Sequence, residues 1–251
     1  MLTLLAPSKT MDTTPIRLGV TTTLPHFLSQ AQSIVTVIRQ TKNLHPVIRA
    51  SDAIVANTAT MYKNWGSATK PSAFMYRGDV YKGFYSNTLK TEDVAWMQDN
   101  LMILSGLYGL LRPLDEISLY RLEMKAPLSV NGSKNLYEFW GDVLAKYADD
   151  QANGVICTLS SEEYARPIRK YSTSRIVTPV FMDHKPNGTV GSVPIYSKMM
   201  RGVMARWIID HRITNPDQLV LFDRFGYVYD KSQSKQDAPA FVRRTMTPLV
   251  F

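Results

Sequence analysis

Short apolar runs alternate with longer stretches in which apolar residues recur every three or four positions. Leu2-Thr3-Leu4-Leu5-Ala6 is an apolar run closed by Pro7, the pattern of a buried first strand leading into the loop Ser8-Lys9-Thr10-Met11-Asp12. Residues 24–40 place Phe27, Leu28, Ala31, Ile34, Val35 and Ile38 at helical spacing, with Pro25 suited to the first turn. A second helix is expected over 45–57, continued or restarted over 59–65. Residues 73–77 read as a strand and 78–83 as the turn beyond it. Thr91-Glu92-Asp93 opens a helix through Asp99, and 100–104 is a strand. Residues 135–147 are amphipathic. Strands are expected at 155–159, 175–182 and 190–196, with Asn187-Gly188 as a hairpin turn. Residues 197–212 form the clearest helix, and 218–222 and 227–229 are short elements before a polar loop (231–237) and a basic, apolar tail.

Strands interleave with helices from end to end without an internal repeat, which predicts an α/β fold, with a mixed α+β arrangement as the alternative. The expected architecture is a single compact domain over 1–251, with a central mixed sheet flanked by helices. At 251 residues, 45% hydrophobic and 20% charged, the chain has the composition of an ordered globular protein.

The formal charge of +8 favours polyanions or phosphorylated ligands as partners. Cys157 is the single cysteine and sits in an apolar run, so it reads as a buried strand residue, and no intrachain disulfide can form. Met1 to Pro7 is too short for a signal sequence, and no apolar run approaches membrane-spanning length. A cytoplasmic protein with no membrane partner is expected.

The densest chemistry lies in Leu104-Ser105-Gly106-Leu107-Tyr108-Gly109-Leu110-Leu111-Arg112-Pro113-Leu114-Asp115 and on to Tyr120-Arg121-Leu122-Glu123-Met124. Gly106 and Gly109 permit positive φ or the close approach of another backbone. Ser105, Tyr108, Arg112, Tyr120 and Arg121 supply donors and aromatic faces. Asp115 and Glu123 could act as general acid or base, or simply pair with Arg112 and Arg121. Lys9, where a strand ends, is either a ligand-binding group or a surface lysine. On a helical wheel of 197–212, Lys198, Arg201, Gly202, Ala205 and Arg212 share one side, either a solvated face or a seat for phosphates that the two small residues allow to approach. Lys82 and Arg206 complete the candidate phosphate contacts, and Lys9, Asp115 and Glu123 the candidate catalytic groups. The four histidines are scattered without metal-ligand spacing, so no metal site and no cofactor are predicted. Gly-x-Ser-x-Gly, dinucleotide-binding and P-loop glycine patterns do not occur.

Taken in order, several segments resemble the YaaA family of bacterial peroxide-stress proteins. They are residues 4–12, Gly78-Asp79-Val80-Tyr81-Lys82-Gly83, the long block 104–124, Asn135-Leu136-Tyr137-Glu138-Phe139-Trp140, Ser161-Glu162-Glu163-Tyr164, Arg201-Gly202-Val203-Met204-Ala205-Arg206 and Phe225-Gly226-Tyr227. The chain departs from the family pattern at Ser118-Leu119, Glu162 and Met199, where Gln-Pro, Asn and Lys are usual. The resemblance implies a cytoplasmic protein that helps limit iron-dependent damage to DNA. It also implies a basic cleft and a helix-hairpin-helix-like element, with Gly106 to Gly109 as the hairpin and Pro113 starting the second helix. DNA, double-stranded or branched, is then the expected partner of a monomer. The alternative is an enzyme acting on a nucleobase, nucleotide or other small phosphorylated ligand in a polar pocket. Two observations discriminate: convergence of Lys9, Ser105, Tyr108, Asp115 and Glu123 in a narrow pocket favours catalysis, and a long open groove favours DNA.

Overall fold

Strand β1 (Leu2–Leu5) is buried along its whole length and forms the middle of a five-stranded sheet. The computed structural model describes residues 1–16, 19–245 and 249, so the end of the expected C-terminal tail lies outside the described residues. After β1 come β2 (Thr10–Met11), α1 (Leu28–Gln40), α2 (His45–Ile48) and α3 (Asp52–Lys63). The expected helix over 45–57 is interrupted because Arg49 takes a left-handed φ of 51° and the chain restarts at Asp52.

The next elements are β3 (Lys70–Pro71), α4 (Ser72–Met75), β4 (Tyr76–Arg77) and α5 (Asp79–Phe84). Two expectations are corrected here. The strand expected over 73–77 is mostly the turn of helix α4, whose residues are all buried, so its short apolar run carried no periodicity to tell helix from strand. Tertiary bonds fix its start, from Ser72 N to Asp115 O (2.9 Å) and from Ala73 N to Pro113 O (3.1 Å). The turn expected over 78–83 is helix α5, with Gly78 at φ 103° as the break before it.

Helix α6 (Thr91–Asn100) and β5 (Leu101–Ser105) follow as read, then β6 (Gly109–Leu111) and β7 (Glu116–Ile117). Strands β5 and β6 pair antiparallel with Ser105 opposite Gly109. The segment around Gly106 and Gly109 is therefore a β-hairpin, and Pro113 lies in the turn after β6. Strands on both sides of this turn replace the expected helix-hairpin-helix, because β5 is a fully buried sheet strand. The amphipathic stretch over 135–147 divides into α7 (Leu136–Trp140) and α8 (Val143–Ala152), with Gly141 at φ 50° between them.

The C-terminal half contains β8 (Val155–Leu159), α9 (Glu162–Tyr171), β9 (Arg175–Val177), β10 (Val180–His184), β11 (Val190–Gly191), α10 (Pro194–Asp210), β12 (Tyr227–Tyr229) and β13 (Ala240–Arg243). The strand expected over 175–182 splits, β9 joining the first sheet and β10 a second one. The strand expected over 190–196 is cut short where Pro194 opens α10. Residues 216–221 form a 3-10 turn.

In the first sheet the order is β6-β5-β1-β8-β9, and β5, β1, β8 and β9 run parallel. The expected central mixed sheet is thus present, and β10 and β13 build a second, four-stranded sheet in the order β11-β10-β13-β12. From β1 the chain leads out to β5 on one side, and from β8 it leads to β9 on the other. The carboxyl ends of β1 and β8 therefore meet at a switch point, where open α/β sheets leave a crevice for ligands. Helix α10 packs on β1, β8, β10 and most closely on α5. Among the described residues no helix is long and apolar enough to cross a membrane.

Candidate functional site

A cavity of about 470 Å³ opens at this switch point. The loop after β1 brings Lys9, the segment after Tyr120 brings Arg121 and Glu123, the start of α9 brings Glu163, and α10 brings Lys198 and Arg201. Gly78 holds its positive φ beside Ser8, whose Oγ would lie 2.8 Å from any added Cβ, so the glycine makes room for the loop that carries Lys9. Tyr81 of α5 anchors the same loop by donating to the Ala6 carbonyl at 3.1 Å. Gly106 acts on the opposite wall: a Cβ there would lie 2.8 Å from Leu122 O and 3.0 Å from Glu123 C. Its lack of a side chain lets the backbone carrying Glu123 cross close by, and Trp140 fixes the turn by donating Nε1–H to Gly106 O at 3.1 Å.

The lining is of mixed charge. Glu123 is in direct ion-pair contact with Lys9 and lies 3.6 Å from the Lys125 ammonium, which also sits 3.4 Å from Glu163. Burial raises the Glu123 carboxyl, but the two lysines outweigh it and hold the group below the usual carboxylate range. Among the described residues Arg121, Lys198 and Arg201 have no carboxylate within ion-pair distance. Arg201 is partly buried, and burial lowers its pKa with no anion to offset the effect. These three cations give the crevice unspent capacity to hold an anion, and Asp79 adds a carboxylate that has no cation within ion-pair distance among the described residues. The expected basic cleft is in this structure a polar cavity with both signs of charge.

Tyr120 reaches the cavity from the interior. Its hydroxyl lies 2.7 Å from Ser105 Oγ and 2.7 Å from the Tyr76 hydroxyl. Ser105 Oγ already accepts from Leu107 N (3.2 Å) and Tyr108 N (3.0 Å), so it must donate to Tyr120, and Tyr120 in turn donates to Tyr76. Burial pushes the Tyr120 phenol up to about 12. Ser105 and Tyr108 are 0% and 1% exposed and do not line the cavity, which corrects their expected ligand contact. Ser105 positions Tyr120, and the Tyr108 hydroxyl accepts from Ser118 N at 3.1 Å.

Asp115 is also removed from the site. It is 1% exposed, accepts from Thr23 Oγ1 at 2.6 Å and from Arg112 N at 2.7 Å, and lies 3.7 Å from Arg112 Nε. Its carboxyl, raised by burial, closes the turn after β6, and Arg112 stays with it away from the cavity. Arg206 is a clamp: Nε bonds Asp210 at 2.7 Å, and Nη1 bonds Tyr85 O at 3.1 Å and Thr88 Oγ1 at 2.6 Å. Lys82 is exposed on α5 and lines a separate pocket with Arg206. The small residues expected to admit a ligand backbone on α10 admit α5 instead, since a Cβ at Gly202 would lie 1.8 Å from Val80 O. Sequence reading missed Asp79, Glu163 and Tyr164 as lining groups. A strand end followed by Ser-Glu-Glu, the signature of a helix start, was the available signal for the last two. Among the described residues no group of three or more His, Cys, Asp and Glu side chains could hold a metal ion.

Residues 1–233 match the family model described as peroxide stress protein YaaA. The chain is 38% identical over 255 residues to a UPF0246 protein of Shewanella sp. strain W3-18-1, covering 97% of this chain and 99% of the relative. It is 39% identical to a UPF0246 protein of Shewanella oneidensis with the same coverage. A UPF0246 protein of Clostridium perfringens is 36% identical over 254 residues, 97% of this chain and 100% of the relative.

Proposed function

The chain belongs to the YaaA peroxide stress protein family, and from that premise we propose that it binds DNA under oxidative stress, seating one phosphorylated unit of the strand in the switch-point cavity. One observation carries the reading: Arg121, Lys198 and Arg201 converge without carboxylate partners on a cavity of about 470 Å³ at the carboxyl ends of two parallel strands. The formal charge of +8 adds long-range attraction for a polyanion. A cavity of this size takes a nucleotide and not a duplex, so the rest of the DNA runs outside it. In the cell this binding helps limit iron-dependent DNA damage in the cytoplasm. Titration of labelled duplex and branched DNA at low salt tests the reading. Binding that weakens in Arg201→Ala supports it, and no binding, or binding indifferent to Arg201, refutes it.

A second reading is favoured by the Lys9–Glu123 pair at the cavity wall. An ammonium and a carboxylate in contact beside an anion seat are the parts of an acid–base site acting on a nucleobase, nucleotide or other small phosphorylated ligand. Conversion of a nucleotide or of abasic DNA that is lost in Glu123→Gln while binding persists would establish it. Absence of any change in mass or absorbance across such substrates counts against it.

A further inference from the structure

A second pocket, of about 320 Å³, lies between the carboxyl end of α5 and the second half of α10. Its floor is apolar: Trp207 and Val203 are 5% and 7% exposed, and Gly83 is buried. Two aromatic side chains stand at its mouth, Tyr85 at 61% and Phe225 at 43% exposure. Both hold a left-handed backbone, with φ of 49° and 54°. That conformation is costly for a bulky residue and is kept only where the surroundings enforce it. For Tyr85 the enforcing contact is Arg206, which grips its carbonyl oxygen and the Thr88 hydroxyl. Lys82, Arg206, Arg224 and Asp210 line the rim; Arg206 is paired with Asp210 and Arg224 with Asp223, whereas among the described residues Lys82 has no carboxylate partner within ion-pair distance and gives the rim its uncompensated positive charge. Three of the segments by which the chain resembles its family meet here: Gly78 to Gly83, Arg201 to Arg206, and Phe225 to Tyr227.

We propose that this pocket stacks a nucleobase of single-stranded nucleic acid between Tyr85 and Phe225 over Trp207, with the adjoining phosphate on Lys82. The chemistry fits each part. Every base has a flat π-face that stacks on exposed aromatic rings, and its backbone phosphate seeks the cationic rim. The volume lies at the small end of ligand pockets, suited to one base. Arg201 at the first cavity and Arg206 at this pocket are about 7.5 Å apart along α10 at 1.5 Å per residue and about 140° apart around it, so a strand that touches both sites must curve around the helix. The inference rests on the nucleic-acid reading for the choice of ligand, but it uses different side chains.

The test is a short single-stranded oligonucleotide carrying one photoreactive uracil, with binding followed by anisotropy and the cross-linked peptide identified by mass. Cross-links to Tyr85 or Phe225, and a loss of affinity of about five- to hundred-fold in Tyr85→Ala and in Phe225→Ala, are the expected results. Tyr85→Gly, which removes the ring and suits the left-handed backbone, should keep the fold and still lose affinity. Tight binding unchanged in all three variants, or cross-links confined to other peptides, overturns the proposal. So does a concentration-dependent rise in molar mass that Tyr85→Ala abolishes while oligonucleotide binding is untouched, because a second copy of the chain then covers the pocket. If Arg201→Ala alone weakens binding, the DNA reading stands and this site fails. If the aromatic variants alone weaken it, this site stands and the first cavity is not the DNA seat.

Discussion

Gly202→Ala isolates how α5 and α10 hold the site together. In an exposed helix this exchange stabilises by about 1 kcal/mol, because alanine is the better helix former. Here the added Cβ would lie 1.8 Å from Val80 O and 2.7 Å from Phe84 N, both backbone atoms of α5. Carbon–oxygen contacts settle near about 3.3 Å, so the helices must part by roughly 1.5 Å. Overpacking of side chains costs about 1–3 kcal/mol, and a backbone obstacle cannot rotate away, so the clash outweighs the propensity gain. A net loss of up to about 2 kcal/mol is expected, which for a chain of this size lowers Tm by up to about 4–8 °C. Asp79 and Val80 of α5 line the cavity together with Lys198 and Arg201 of α10, so DNA affinity should fall as well. Gly132→Ala is the control: its φ of 84° is unfavourable for alanine, but nothing lies within 4 Å of the added Cβ. It should cost only about 1 kcal/mol and leave binding intact. Thermal unfolding of both variants decides the matter, and a Tm for Gly202→Ala equal to or above that of the parent refutes the packing argument.

Three further outcomes are expected. Tyr120→Phe removes the hydroxyl that joins Ser105 to Tyr76, leaving buried polar groups short of a partner, and should cost about 1–3 kcal/mol in denaturant titration; an unchanged midpoint would show that the chain of hydroxyls is not coupled to stability. Because the folded Glu123 carboxyl is held below the usual range, its ion pairs stabilise the protein above about pH 4.3 and the benefit is lost as pH falls through the folded value. The stability gap between parent and Glu123→Gln should therefore shrink on acidification, and a gap constant from pH 7 to pH 3 would contradict the pairing. Cys157 is fully buried with its thiol pushed up to about 12, so at pH 8 it should resist a thiol-reactive disulfide reagent until the protein is unfolded. Rapid modification of native protein would overturn that.

Much of the first sheet was legible because its strands are short apolar runs with clear ends: β1, β5 and β8 all fall where the pattern places them. The helices α4 and α5 were not, because Ser72 to Met75 are buried on every side and Gly78 gives the same signal whether it opens a turn or a helix. Helix α9 carries Pro167 inside it, a residue that argues locally against a helix. The site divided along similar lines. Lys9, Glu123 and Arg201, which come from three distant parts of the chain, do meet in one cavity. Asp115 and Tyr108 lie in the same dense segment as Glu123 yet face inward, since neighbours along a strand and turn point in different directions. Gly202 shows a further limit. A small residue on a polar helix face invites close approach, but only the folded chain reveals that the approaching backbone is α5.

The central claim is that unpaired cations at the switch-point cavity hold a DNA phosphate, and the salt dependence of DNA affinity tests it most directly. The logarithm of affinity for a labelled branched duplex should fall linearly with the logarithm of salt concentration in the parent protein. Arg201→Ala should bind more weakly at low salt and lower that slope by about one phosphate contact. Parallel lines of equal slope and equal affinity for the two proteins would contradict the account.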